Sequence, residues 1–485
     1  MLDSKFISIL KQLSTRERSR FREYVHSPFF NKHEATRMLC DYILEFSPPY
    51  EDLALDKKAA YNYLFPKEKY AEQRIYTLLS NLLNLMNGFL AQLQLEEKEE
   101  IQKRFAMQQL RKRHQEKQWT AVEKQYKILA NKVVLKDEHS LYEQFRYYEE
   151  RDALFLSKAL REQDKNIQLK SDALDAFYLA AKLKTACDMQ SRNIVIKANY
   201  QSWALEELLV LIKTNWTTLS KHPPIVVYYA ILRMLKSGEE ADYFEVKRLL
   251  SKHLSDFGTA ELKLQYDYAI NYVIRQLNSS RPDWYREFLD LHQFLLTHEI
   301  ILLDGELPEW DYKNIVTVAL RLDEFDWVEQ FIHQYKNNVK DSVRENVFNY
   351  NLASLYFARR QYKEALQLLL QVEFTDAAYH LGAKIIQLKS YYALQEWEAA
   401  LSLMEAYRNL VQRDKQLSEY RRLSNMNMLK VAKKLVILAQ KADYLAEEKL
   451  KKELVSIEKA LQKSQPLANL DWIETEFNNL KKGLT

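Results

Sequence analysis

The feature that most constrains this chain is its shortage of residues that interrupt helices. The chain has 485 residues with 6 Gly and 9 Pro, and residues 89–222 contain neither. Average usage would give about 34 Gly and 24 Pro at this length. Because Gly and Pro are the usual residues of tight turns, a chain with so few of them cannot supply the many turns of a β fold. The composition therefore favours helices.

Apolar residues in the segment 74–93 recur with the period of a helix. They stand three or four positions apart, at Ile75, Leu78, Leu79, Leu82, Met86, Phe89, Leu90 and Leu93. Polar side chains, among them Glu72 and Asn81, fall on the opposite face. This spacing is typical of an amphipathic helix. No segment shows the alternation of a half-buried strand, so the sequence predicts an all-α fold.

The glycine shortage also argues against catalysis. The closest two glycines, Gly238 and Gly258, are too far apart for a G-x-G-x-x-G motif, a Walker A loop or a G-x-S-x-G nucleophile elbow. The ten histidines do not occur in an H-E-x-x-H or a zinc-finger spacing. We therefore expect a protein that is not an enzyme, with no catalytic residues, no cofactor and no metal.

Charge and cysteine content narrow the expected environment. Lys plus Arg total 71 and Asp plus Glu total 67, a near balance that does not indicate nucleic acid or an anionic membrane. Residues 1–5 lack the apolar segment of a secretory signal, and no apolar run approaches the ~20 residues of a membrane helix. Cys40 and Cys187 are not in a C-x-x-C spacing. These features predict a cytoplasmic protein without membrane insertion, in which both thiols are buried and structural.

An internal repeat is present in the C-terminal half. Residues 352–366 match residues 387–401 at an offset of 35. The matched pairs are Tyr356 with Tyr391, Tyr362 with Trp397, Ala365 with Ala400, and Leu366 with Leu401. A small alanine lets two helices approach closely, and the aromatic residue before it fills the gap between neighbouring helix pairs. The pattern predicts two similar helical hairpins.

Together these two segments, residues 346–411, resemble the tetratricopeptide repeat, a helix-turn-helix unit of about 34 residues. Upstream, Tyr243, Trp284 and Phe325 recur at similar spacing, with a period that shortens toward the C-terminus. The resemblance implies an α-solenoid of antiparallel helical hairpins. An irregular helical bundle with similar hairpins is the alternative. The overall pattern is also similar to helical-repeat proteins of Bacteroidota-type bacteria.

Three domains follow from this interpretation. We expect an N-terminal helical domain at residues 1–95, ending near the charged segment 96–100. Residues 96–411 would form the solenoid, which is most repeat-like at residues 310–411. Residues 412–485, which are polar and rich in lysine, would form capping helices, because the terminal unit of a repeat array must cover the last apolar face.

In the tetratricopeptide family, the first helix of each repeat lines a groove that binds peptides. The resemblance places the candidate partner-binding residues at Tyr350, Asn351, Ser354, Phe357, Ile385, Lys389 and Tyr392. The family's carboxylate clamp is not reproduced, so the groove would favour aromatic and apolar contacts with a protein or peptide. The alternative is that these aromatic residues are buried against an adjacent hairpin.

Two further features could contribute to such a surface. Tyrosine suits interfaces because it joins an apolar ring to a polar tip. We therefore expect interaction surfaces at the clusters Tyr142/Tyr147/Tyr148, Tyr228/Tyr229 and Tyr266/Tyr268/Tyr272. Gly382 falls at a groove position of the first helix, where it either makes room for a ligand or marks a loosely wound helix start.

Nucleic-acid binding is the alternative function. Basic residues cluster in two N-terminal segments, at Arg16, Arg18, Arg20, Arg22, Arg111, Lys112 and Arg113. A short helix near residue 60, a Phe-Pro turn and the helix from Arg74 look like the helix-turn-helix of bacterial activators, but the second helix exposes mainly uncharged and acidic residues. The sequence thus favours a non-enzymatic scaffold or adaptor for protein partners. The alternative is a DNA- or RNA-binding regulator with a repeat sensor domain.

Overall fold

The computed structural model describes residues 4–46, 50, 55–132, 135–158, 163–279, 281–370, 377–414 and 417–482. Within these residues the chain forms 24 α-helices and no β-strand, which confirms the all-α prediction. None of the described helices is both long enough and apolar enough to cross a bilayer. The chain divides into two compact units, Met1–Ala181 and Lys182–Thr485. The predicted domain boundaries at 95/96 and 411/412 stay predictions.

Unit 1 contains eight complete helices and the start of a ninth. They are α1 (Lys5–Gln12), α2 (Thr15–His26), α3 (Glu34–Leu44), α4 (Lys57–Leu64), α5 (Glu72–Glu96), α6 (Glu99–Lys112), α7 (Glu116–Lys132), α8 (Glu138–Ser157) and α9 (Asn166–Val195). One hydrophobic core, with buried residues from Phe6 to Phe89, joins α1 to α5. The predicted helix at 74–93 is the central part of α5. Its apolar face supplies Ile75, Leu82 and Met86 to this core.

Two ion pairs, one buried and one partly buried, join α6 to α8. The Arg104 guanidinium donates to the Glu143 carboxylate at 2.9 and 3.3 Å, and Arg111 donates to Glu150 at 2.9 and 3.2 Å. Trp119 of α7 donates its indole N–H to the same Glu150 at 3.2 Å. From the first pair to the second, both partners advance by seven residues in the same direction, so α6 and α8 run parallel, and α7 packs on α6.

Unit 2 begins within α9 and contains fifteen further helices in its described residues. They are α10 (Leu205–Thr214), α11 (Trp216–Leu219), α12 (Pro223–Ser237), α13 (Glu240–Lys252), α14 (Thr259–Asn278), α15 (Trp284–Thr297), α16 (Glu309–Arg321), α17 (Phe325–Gln334), α18 (Arg344–Ala358), α19 (Tyr362–Leu370), α20 (Ala377–Ala393), α21 (Trp397–Arg413), α22 (Glu419–Lys441), α23 (Glu447–Lys463) and α24 (Leu470–Lys482).

The helices of unit 2 pack mainly on their near neighbours in sequence. Each helix from α12 to α22 contacts the one that follows it. Contacts to the next helix but one join α12 to α14, α16 to α18, α18 to α20 and α22 to α24. The repeat alanines Ala365 and Ala400 are both fully buried, as their role in close helix approach requires. One core, with buried residues from Leu381 to Phe477, joins α20 and α21 to α22–α24.

The turns that join α16 to α17, α18 to α19 and α20 to α21 close without glycine. Asp323, Arg360 and Gln395 have φ of 57°, 62° and 59°, in the left-handed region that favours glycine. Each turn has the two hydrogen bonds of a Schellman cap; at Arg360 these are the amide of Arg360 to the Phe357 carbonyl at 3.0 Å and the amide of Gln361 to the Tyr356 carbonyl at 2.8 Å. The offsets of 37 and 35 residues between these turns match the spacing of the aromatic residues that open the second helices.

Most of the predicted tyrosine surfaces are instead core. Five of the eight tyrosines are buried: Tyr147, Tyr228, Tyr266, Tyr268 and Tyr272. The prediction that these five belong to interaction surfaces was wrong because most of their hydroxyls have an acceptor inside the protein. Tyr268 donates to Asp188 at 2.6 Å, Tyr147 to Glu123 at 2.7 Å and Tyr272 to the Gly238 carbonyl at 2.9 Å. A satisfied hydroxyl removes the main penalty for burying tyrosine.

Two glycines lie inside helices, where glycine is ordinarily unfavourable. A side chain at Gly382 would overlap the hydroxyl of Tyr350, and a side chain at Gly88 would come within 2.6 Å of the hydroxyl of Tyr24. Gly382 therefore makes room for a tyrosine of α18. It lies well inside α20, so it does not mark a loosely wound helix start.

Replacing Arg360 with glycine should stabilise the α18–α19 hairpin by about 1 kcal/mol, because glycine relieves the left-handed strain. The Arg360 side chain is exposed, so little contact is lost. Native-state hydrogen exchange of α18 and α19 amides measures the change. Lys363→Gly, inside α19, is the control and should destabilise by about 1 kcal/mol. Equal destabilisation by both variants would contradict the interpretation of the turn.

Removing one partner of the buried pair should destabilise unit 1 strongly. Arg104→Ala leaves the Glu143 carboxylate buried without its cation, which costs about 3–5 kcal/mol. The double variant Arg104→Met/Glu143→Leu removes both charges and should recover most of that loss. Urea unfolding followed by hydrogen exchange in α6 and α8 checks both. A double variant as unstable as Arg104→Ala would show that the charge imbalance is not the cause.

Candidate partner-binding surfaces

The predicted groove residues of α18 are largely occupied by contacts within the chain. Asn351 is 1% exposed, and its amide nitrogen donates to the Val347 carbonyl at 2.7 Å. Tyr350 is buried, and its ring meets the ring of Tyr379 edge to face at 4.9 Å. Ser354 donates its hydroxyl to the Tyr350 carbonyl at 2.9 Å. Tyr350 therefore packs on α20, whereas Asn351 and Ser354 bond to carbonyls of α18 itself.

Phe357 is the more accessible member of this set on α18. Its side chain is half-buried, and its ring packs against Tyr362 of α19 with ring centroids 5.6 Å apart. Tyr362 is the aromatic residue that opens the second helix of the repeat. The contact thus belongs to the hairpin itself, and it leaves part of the Phe357 ring exposed.

The groove residues of α20 lie beneath the C-terminal end of the chain. The Lys389 ammonium donates to the Asn469 side-chain oxygen at 2.9 Å and lies 5.7 Å from the ring of Trp472. Tyr392 is buried and meets Trp472 edge to face at 5.6 Å. Ile385 is half-buried against the same core. Helix α24 therefore covers the part of the surface that the tetratricopeptide resemblance assigns to a partner. The assignment of these residues to partner binding stays a prediction.

The Lys313 side chain lies among aromatic rings of α16, α18 and α20. The Lys313 ammonium of α16 lies 4.7 Å from the ring of Tyr379, 5.2 Å from Trp310 and 5.4 Å from Tyr350. Cation–π attraction of this kind is worth about 0.5–2 kcal/mol per contact, depending on desolvation. The three aromatic rings thus have a cation from this chain, and they are not an empty cage for a ligand cation.

The predicted basic residues of α2 are engaged mainly by acids of unit 1. Arg20 pairs with Glu96, and Arg22 pairs with Asp41 at 2.6 Å. Arg18 donates to the Thr15 hydroxyl at 3.2 Å. Arg16 is exposed. Because two of the four charges are neutralised by carboxylates, these residues do not form the continuous positive stripe that a phosphate backbone requires.

The second basic segment, residues 111–113, also combines a paired arginine with exposed basic side chains. Arg111 is held by the Glu150 carboxylate, and Arg113 donates to the Gln109 carbonyl at 3.0 Å. Lys112 and Arg113 are exposed. The contribution of these residues to nucleic-acid binding stays a prediction. The structure assigns Arg111 a role inside the protein, as half of a partly buried ion pair.

A group of exposed apolar side chains in unit 2, close together in sequence, was not identified from the sequence alone. We name it the α10 patch; it comprises the exposed side chains Val195, Ile196, Tyr200, Trp203, Val210, Leu211 and Trp216. Trp203 is 83% exposed and Val210 is 63% exposed. Helix α10 buries Leu208 and Ile212, and its exposed positions include Val210 and Leu211 beside Glu206, Glu207 and Lys213. A helix that buries one face ordinarily exposes polar side chains on the other.

The backbone that presents the α10 patch has a defined conformation. The side-chain amide of Asn193 donates to the Tyr200 carbonyl at 3.0 Å and accepts from the Tyr200 amide at 2.8 Å. Trp216 is supported by Tyr229, with ring centroids 5.4 Å apart. The signal that could have found the patch is the segment 205–212, which has six apolar residues in eight positions. A helix that buries one face needs apolar residues at only about half of its positions.

The two cysteines and His292, whose side chains could act as nucleophiles or bases, are buried. Burial raises the pKa of the Cys40 thiol to about 12 and raises that of Cys187 well above its ordinary value. Both cysteines are buried and free of disulfides, as predicted. Burial lowers the pKa of His292 to about 4, so this histidine is neutral. Within the described part of the chain, no group of three or more His, Cys, Asp or Glu is arranged to hold a metal ion.

Comparison with known proteins finds no match to this chain among protein-family models, curated proteins or solved structures.

Because α24 packs near Lys389 of α20, we predict that the stability of unit 2 depends on pH. Burial lowers the folded-state pKa of Lys389 to about 8, below the ordinary 10.5, so its charge opposes folding below pH 8. We expect Lys389→Met to raise the free energy of unfolding of unit 2 by about 3 kcal/mol at pH 7. This advantage should shrink as the pH rises from 8 toward 10.5.

Unfolding of α20 and α24, followed by hydrogen exchange corrected for intrinsic rates between pH 7 and 9.5, measures this difference. Lys363→Met, at an exposed position of α19, should show no such trend. If the difference in free energy of unfolding between Lys389→Met and the native protein stays constant over this pH range, Lys389 keeps its ordinary pKa.

Proposed function

We propose that this protein is a non-enzymatic, cytoplasmic scaffold or adaptor that binds protein partners on the surface of an α-solenoid. The solenoid proposal is supported by the packing of unit 2, in which helices contact their neighbours and next neighbours along the chain. It is also supported by the recurrence of the same glycine-free turn at 37 and 35 residues. An array of this kind offers an extended surface on which several partners can bind.

The observation that carries the protein-binding proposal is the α10 patch. Its large apolar side chains are exposed and close together in sequence, and a concentration of exposed apolar side chains is typical of protein–protein interfaces. Two of its members, Trp203 and Trp216, are of the residue type that is most enriched among interface residues of high energetic importance. We infer that the partner contributes a complementary apolar surface, because the segment 203–211 contains no basic residue and only two acids, Glu206 and Glu207.

The alternative, a DNA- or RNA-binding regulator, has weaker support. Two of the four predicted arginines of α2 and Arg111 are paired with carboxylates. These pairs would have to break before the cations could neutralise phosphates, and each would leave an uncompensated acid near the nucleic acid.

The proposal is tested by placing a photo-crosslinking amino acid at Trp203 and irradiating the full chain in its native cell extract. We expect adducts with a small, reproducible set of proteins. Adding Val210→Glu and Leu211→Glu should lower adduct yield at least about tenfold, because two carboxylates then enter an apolar contact. Mass spectrometry of the adducts measures the yield and identifies the crosslinked residues.

The matched control is Gln361→Glu with Gln367→Glu, which adds the same charge at exposed positions of the α18–α19 hairpin. This control should keep the adducts, and a crosslinker at Lys363 should not form them. Adducts that survive Val210→Glu/Leu211→Glu, or that form equally at Lys363, would contradict the assignment of the patch. Circular dichroism confirms that each variant is folded.

A further inference from the structure

Five of the nine residues that line a groove between α22 and α23 are lysines. Its volume is about 460 Å³. The lysines that line it are Lys430, Lys434, Lys452, Lys459 and Lys463. All five are exposed to solvent. The groove lies away from the α10 patch in sequence and has the opposite chemistry, so the proposed protein-binding function does not account for it.

The helical spacing brings these lysines to one place. On α23, Lys452, Lys459 and Lys463 stand seven and four residues apart, so they share one face of the helix. Lys430 and Lys434 are four residues apart on α22 and share a face in the same way. The Lys434 ammonium donates to the Ser456 hydroxyl of α23 at 3.1 Å, which shows that the two walls meet across the groove.

Few acids offset this positive charge. No carboxylate lines the groove. Among the described ion pairs, Lys452 pairs with Glu448 at 3.3 Å, and both side chains are more than three-quarters exposed, so the pair is well screened by water. Lysines just outside the groove are paired instead, Lys433 with Glu405 at 3.0 Å and Lys451 with Glu447 at 2.5 Å. Like charges that converge without acids attract a multivalent anion.

We propose that this groove binds a compact soluble anion that has several phosphate groups. One phosphate monoester carries about −1.5 to −2 charges at neutral pH, so about three phosphates balance five ammonium groups. Lysine binds phosphate oxygens as a point charge and needs no fixed geometry. The volume falls within the range of small-molecule sites. The Ser456 side chain adds a hydroxyl to the same wall.

The lining favours this ligand over two larger polyanions. Single-stranded nucleic acid binds through aromatic or arginine side chains that stack on its bases, and the groove lining contains neither. An acidic peptide would need apolar pockets or a free backbone edge to fix its position. The apolar lining consists of Val455 and Ala460, and both walls are helices whose backbone groups bond internally.

Calorimetric titration of the full chain with inorganic tripolyphosphate, at about 50 mM salt where screening is modest, tests the proposal. We expect one ligand per chain. The variant Lys430→Gln/Lys434→Gln/Lys459→Gln should weaken binding at least about tenfold, and the corresponding arginine variant should retain it. The matched control Lys433→Gln/Lys451→Gln/Lys481→Gln removes the same charge outside the groove and should change affinity by less than about twofold.

Equal weakening in the groove variant and the control would overturn the proposal, because binding would then depend on net charge alone. Absence of binding at millimolar tripolyphosphate would also overturn it. The same conclusion follows if poly-glutamate, a mixed-sequence single-stranded oligonucleotide or a phosphoinositide-containing vesicle binds more tightly than tripolyphosphate. All six lysines of the groove variant and control are exposed, so each variant is expected to fold, and circular dichroism verifies this.

Discussion

Buried tyrosine hydroxyls that bond to a neighbouring helix are the interaction on which much of this structure depends. Tyr228 of α12 donates to Glu261 of α14, and Tyr243 of α13 donates to Glu287 of α15 at 2.5 Å. In both cases burial raises the tyrosine pKa, so the hydroxyl keeps its proton and remains a donor. Each carboxylate also accepts from a lysine, Glu261 from Lys184 at 2.7 Å and Glu287 from Lys247 at 2.6 Å. The helix contacts are therefore specified by polar geometry as well as by apolar area.

The helical class and several element positions could be predicted because they depend on local sequence. The segment 74–93 shows its apolar face by spacing alone, and it is the middle of α5. The two matched segments likewise form two pairs of contacting helices, α18 with α19 and α20 with α21, whose turns fall at Arg360 and Gln395. Which tyrosines are buried could not be predicted from local sequence. Whether Tyr268 lies in the core depends on an acceptor, Asp188, that is 80 residues distant in the chain.

The candidate sites differ from expectation for the same physical reason. Spacing places Lys389 and Tyr392 on one face of α20, but it does not reveal that α24 covers that face. Basic residues such as Arg111 are visible in the sequence, whereas the carboxylate that neutralises Arg111 lies 39 residues away. The α10 patch shows the converse. Its helix has the apolar content of a buried segment, and only the tertiary structure shows that its outer face has no cover among the described residues.

The ion pairs Arg104–Glu143 and Arg111–Glu150 also determine how α6 and α8 align along their length. Two helices with a seven-residue repeat of partners can slide by one heptad and still form a salt bridge. In this case a slide of α8 would pair Arg111 with Glu143, or Arg104 with Glu150, and would strand one arginine and one glutamate without a partner. Two stranded charges near the interior cost several kcal/mol. The two ion pairs therefore favour the native alignment of α6 and α8 over the alignment that is shifted by seven residues.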